Sequence, residues 1–84
     1  MEIRSAKHLG ALARARRLDL DLSQARVAEQ AGVSRQWVVA FEAGKPTAEV
    51  GNVLRVIRAL DLALDVSPAR PDLTSVDIDR LIDG

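Results

Sequence analysis

The chain has 84 residues, 48% of them hydrophobic, no cysteine and a formal net charge of zero. This permits one small domain and excludes both a disulfide frame and a thiolate metal site. No apolar run approaches the ~20 residues that a membrane-spanning helix needs. The stretch Met1-Glu2-Ile3-Arg4-Ser5 also lacks the apolar core of a secretory signal. A cytoplasmic protein is therefore expected. The zero charge is unevenly distributed: residues 1–70 carry 11 Lys/Arg against 8 Asp/Glu, whereas 71–84 set Arg80 against Asp72, Asp77, Asp79 and Asp83. So weak a positive charge favours specific contacts made by a dimer over tight non-specific binding to a polyanion.

After a short arm, Ser5 can cap a first helix. Leu9, Leu12 and Ala13 form its apolar side, Arg14 and Arg17 lie on its polar side, and it ends near Leu18 to Leu20. For Arg14 a solvated helix face and a phosphate contact weigh equally. For Arg17 a solvated face is the plainer reading and a largely buried pair with Glu42 the alternative, which the resemblance described below favours. Such a pair sets geometry more than it adds net stability. Leu18-Asp19-Leu20-Asp21-Leu22 alternates like a strand. It reads as a loop, because it is short, lies between two helices, and has at Asp21 a residue that tolerates turn conformations. Leu20 and Leu22 are expected to plug the core.

The stretch from Ser23 to Gly44 predicts two short helices joined by a tight turn. Ser23 caps the first, and Val27, Ala28 and Ala31 give it one apolar face. Gly32 supplies the positive φ of a sharp exit. Ser34 caps the second helix and Gly44 closes it. Val38 and Phe41 point to the core, leaving Arg35, Gln36, Val39 and Ala40 on other faces. Arginine can donate twice to guanine, and glutamine can pair doubly with adenine. The layout is that of a helix-turn-helix, whose second helix reads bases while the first crosses the backbone.

Pro46 breaks the chain after Lys45, and Thr47 is expected to cap a further helix with Ala48 and Glu49 in its first turn. Val50, Val53, Leu54, Ile57 and Leu60 form its amphipathic stripe. Val56 lies off that stripe and hints at a second buried face. Leu62-Ala63-Leu64-Asp65-Val66 alternates and reads as one short strand with Leu62, Leu64 and Val66 on one side. A lone strand leaves its backbone groups unpaired. Its own copy across a two-fold axis is the preferred partner, and an extended segment packed on its own monomer is the alternative. Pro68 and Pro71 mark a linker. The expected division is a DNA-binding and dimerisation domain over 1–67 and a tail over 68–84. In the tail, Thr74 and Asp77 resemble a capping box, and Ile78, Leu81 and Ile82 form a small apolar patch. A disordered tail is the plainer reading, and a segment that folds on a partner is preferred.

The stretch Leu9–Leu60, about five-eighths of the chain, resembles the Cro/cI (XRE) helix-turn-helix family. The match rests on Leu9-Gly10, Arg14, Arg17, Leu22-Ser23-Gln24, Val27-Ala28, Ala31-Gly32-Val33-Ser34, Phe41-Glu42-Ala43-Gly44-Lys45 and Leu54 through Leu60. Asp21 stands where that family usually has glycine, and Ala13 where it prefers a larger apolar residue. Gly32 to Trp37, Gly44 to Glu49, and a last helix running straight into Leu62–Val66 are similar to HipB-type antitoxins.

This resemblance implies an all-α, lambda-repressor-like bundle of four to five helices. It also implies a homodimer joined by an intermolecular β-ribbon, palindromic operator DNA, and a HipA-type serine/threonine kinase toxin as partner of the tail. Carried over by position, Ser34, Arg35, Gln36, Val39 and Ala40 lie nearest the bases, with Ala40 a candidate for a thymine methyl. Arg14, Gln24 and Lys45 contact the backbone, and Arg17–Glu42 is the internal ion pair. Trp37 lies on the outer side, against the sugar–phosphate chain or partly packed on the core. The resemblance thus implies a repressor that autoregulates a toxin–antitoxin operon. A stand-alone regulator, or an interaction module without DNA affinity, are the alternatives. No enzyme, metal or cofactor is expected, since His8 is the sole histidine and no glycine-rich phosphate loop is present.

Overall fold

The structure, a computed structural model, describes residues 2–69. The expectations for the tail beyond Ala69 lie outside the described residues. Four helices follow one another: α1 Ala6–Asp19, α2 Gln24–Ala31, α3 Arg35–Glu42 and α4 Val50–Ala59. The first three begin alike. Ser5, Ser23 and Ser34 are extended, and their hydroxyl oxygens accept from the backbone N–H of His8, Arg26 and Trp37, each at 3.0 Å. Each bond satisfies one of the free donors at a helix start.

The fourth start departs from expectation. Glu49, not Thr47, is the N-cap, and its side chain makes no capping bond. Residues 46–47 form a turn, and Ala48 then packs half-buried against the core. Ala48 and Glu49 thus precede the helix.

All four helices end in one way. Asp21, Gly32, Gly44 and Asp61 have φ of 58°, 73°, 92° and 55°. The N–H of each, and that of the residue after it, reach back to carbonyls of the last turn. At the end of α1, Asp21 donates to the Leu18 carbonyl and Leu22 to that of Arg17, at 3.0 and 3.1 Å. These paired bonds satisfy carbonyls that the helix end leaves free. The loop between α1 and α2 thus keeps the left-handed turn that glycine usually serves, with aspartate in its place. Left-handed backbone costs an L-residue roughly 1–2 kcal/mol, less for aspartate. Asp21→Gly removes that strain and adds some unfolded-chain entropy. It is expected to stabilise the fold by about 0.5–1 kcal/mol, read as a higher urea midpoint.

Helix α2 packs on both α3 and α4, and α1 packs on α3. Ala13, Val27, Ala28, Ala31, Val38, Phe41, Val53, Val56, Ile57 and Leu60 form the core. On α4 the buried stripe is Val53, Val56, Ile57 and Leu60, so Val56 belongs to the core outright. Val50 and Leu54, expected in it, are 71% and 48% exposed. Helix α2 packs on α4, and the exposed Val50 and Leu54 lie off the buried stripe. Leu22 packs on the core as expected, but Leu20 does not: it caps α1 at the turn and faces outward. Residues 62–69 form neither helix nor strand within the single chain. Leu62 packs half-buried on the core, while Leu64 and Val66 are exposed.

Candidate nucleic-acid interface

The two helices of the motif meet at a left-handed Gly32 and at Val33, which tucks against the core. Val38 and Phe41 anchor α3 from below, at 0% and 3% exposure. Its outer surface is therefore held in place by core residues. Arg35 and Gln36 stand exposed in its first turn, beside the Ser34 cap. The Ser34 oxygen is engaged with the Trp37 N–H, which leaves its hydroxyl hydrogen to donate outward. Val39 is 40% exposed. At four residues' spacing it shares the face of Arg35, just as Ala40 shares that of Gln36.

A shallow hollow of about 310 Å³ lies between α3 and the loop to α4, bordered by Ser34, Gln36, Trp37, Ala40, Lys45 and Thr47. Trp37 does not stand clear of the fold. It packs half-buried on the core and stacks on Phe41, with ring centroids 5.2 Å apart and planes 25° apart. The rest of the ring borders the hollow. Lys45 and Arg14 are exposed cations, one after α3 and the other on α1.

Arg17 and Glu42 form the internal pair. Arg17 Nε donates to Glu42 Oε2 at 2.7 Å and one terminal nitrogen to Oε1 at 3.1 Å. The other terminal nitrogen donates to the Leu22 carbonyl at 2.8 Å. The two side chains are 9% and 4% exposed. The Glu42 hydrogen bond raises the guanidinium pKa above its ordinary value, while burial opposes this. Gln24 joins the pair, its amide nitrogen donating to Glu42 Oε1 at 3.2 Å. One network thus ties α1, the start of α2 and the end of α3.

Three further residues position this surface. Gly10 lets α1 touch the α3 backbone: a Cβ there would lie 2.2 Å from the Phe41 carbonyl oxygen. The glycine at mid-helix was its signal. Lys7 packs its stem against Gly44, next to Lys45, and two turns before Arg14 on the same face of α1. Arg16 donates to the Leu60 carbonyl at 3.0 Å and ties α1 to the end of α4. Nothing in its local spacing announces that bond.

A family model described as "Helix-turn-helix domain" matches residues 8–73. The chain belongs to the helix-turn-helix family. It is 41% identical over 64 residues to an uncharacterized HTH-type transcriptional regulator, y4mF, of Sinorhizobium fredii, covering 76% of this chain and 84% of that one. Among solved structures it is similar to HipB in complex with an O4 20-mer, with a TM-score of 0.77 and 17% identity over 83% of this chain and 99% of that one. It is likewise similar to a chain of a HipA–HipB–O2–O3 complex, with a TM-score of 0.78 and 16% identity over 83% and 99%. At that identity the likeness establishes the fold, a HipB-like helical bundle. The protein is a DNA-binding helix-turn-helix regulator. Among the described residues there is no cluster of His, Cys, Asp or Glu able to hold a metal ion, and no helix long and apolar enough to cross a membrane.

Proposed function

We propose that this protein is a sequence-specific repressor and the antitoxin of a HipBA-like type II toxin–antitoxin system. It binds a palindromic operator as a homodimer, represses its own operon and neutralises a HipA-type serine/threonine kinase toxin. The observation that carries the DNA-reading part is the exposed first turn of α3, where Arg35 and Gln36 stand clear on a helix anchored by Val38 and Phe41. Ser34, Arg35, Gln36, Val39 and Ala40 face the bases. Arg14, Gln24, Trp37 and Lys45 hold the backbone. Leu62, Leu64 and Val66 pair with their counterparts in a second copy. Domain 1–67 carries these tasks, and 68–84 serves the toxin. Support for the toxin comes from the fold shared with HipB, which is found in complex with HipA.

Arg35→Ala is expected to cost about 1–3 kcal/mol of specific binding and to relax preference at one base pair per half-site. Titration of operator and scrambled duplexes checks this, since an equal loss on both would remove the base-reading role. A stand-alone regulator of the same fold is the second reading, favoured by the relative known only as an HTH-type transcriptional regulator. Co-purification with the product of an adjacent kinase-like gene supports the antitoxin. Tight operator binding with no such partner supports the stand-alone regulator.

A further inference from the structure

The outer surface of α3 carries one apolar side chain that the core does not need. Val39 is 40% exposed, whereas Val38 and Phe41 on the same helix are buried. It shares a face with Arg35, and four residues of helix advance about 6 Å. Base pairs stack every ~3.4 Å, so the two side chains sit nearly two steps apart along a groove. Valine has no polar atom to offer a base edge. The apolar group that bases present in the major groove is the thymine methyl. Ala40 is less suited to this task, being half-buried and bordering the hollow beside Trp37.

We infer that Val39 is a specificity-determining residue that reads a thymine methyl group about two base pairs from the guanine bound by Arg35. The inference rests on the repressor reading and deepens it, because each half-site must then hold both a guanine and, at that spacing, a thymine.

The test uses the full-length protein and an operator mapped upstream of its own gene. Each thymine is replaced singly, in both half-sites, by deoxyuridine, which removes only the methyl. One position per half-site is expected to weaken binding by about fourfold, the effect of one buried methyl-sized group. It should lie near the guanine whose substitution no longer matters in Arg35→Ala. In Val39→Ala, a surface change that leaves the core intact, uracil and thymine should bind alike at that position. Two results overturn the inference while leaving the repressor reading in place. In one, no thymine is sensitive; in the other, the sensitivity survives in Val39→Ala. Binding with no sequence preference at all overturns both.

Discussion

Replacing Gly10 by alanine should cost about 3 kcal/mol or more of stability. The added Cβ would lie 2.2 Å from the Phe41 carbonyl oxygen and 2.9 Å from that of Glu42. Both are backbone atoms, so no side chain can swing away. Helix α1 must instead retreat from α3, lengthening the Arg17–Glu42 bonds as it goes. Alanine favours helix over glycine by only about 1 kcal/mol, so the clash outweighs the propensity gain. A domain this small has few kcal/mol to lose, and a large fraction of the variant should be unfolded at 37 °C. Urea titration followed by Trp37 fluorescence measures it, since the ring stacked on Phe41 reports the core directly. A variant as stable as the parent would show that α1 does not sit this close to α3.

The second large effect belongs to the ion pair. Arg17→Ala leaves Glu42, 4% exposed at its side chain, with only Gln24 as a side-chain partner among the described residues. Removing one member of a buried pair typically costs about 3–5 kcal/mol, because the other charge stays desolvated. It also removes a donor from the Leu22 carbonyl. Replacing both members, as in Arg17→Met with Glu42→Leu, should recover most of that loss, since a well-packed apolar pair is often neutral or better. If the double variant is as unstable as the single one, specific hydrogen bonds rather than an orphaned charge hold the junction. Gln24 adds a functional readout. Freed from Glu42, its amide should fix a phosphate less well, so the double variant should keep its fold yet bind the operator more weakly.

Much of this architecture is local, and local chemistry is legible in a sequence. Three serines before apolar periods marked three helix starts, and Gly32 and Gly44 marked two ends. Leu18–Leu22 was separable from a strand because a left-handed aspartate suits a turn. Legibility failed where the decision was tertiary. Thr47 has the chemistry of a cap, but the helix starts after Glu49. The α4 period permitted several stripes, and the buried one runs through Val56. Leu20 and Leu22 look alike in the loop, yet the turn at Asp21 sends only one inward. In the site, Arg17–Glu42 was visible through resemblance alone, because 25 residues separate the partners. Gly10 and Arg16 act on partners still farther along the chain, and their roles emerge only once α1 is docked.

In the proposed complex two copies of α3 read one palindrome. Footprinting of the full-length protein on the DNA upstream of its own gene, with the bound stoichiometry measured on the same fragment, tests it most directly. The expected result is one protected site with two protein chains per duplex and half-site centres about 34 Å apart, one helical turn. Protection spread evenly along the fragment, or one chain per site with no symmetry, would contradict it.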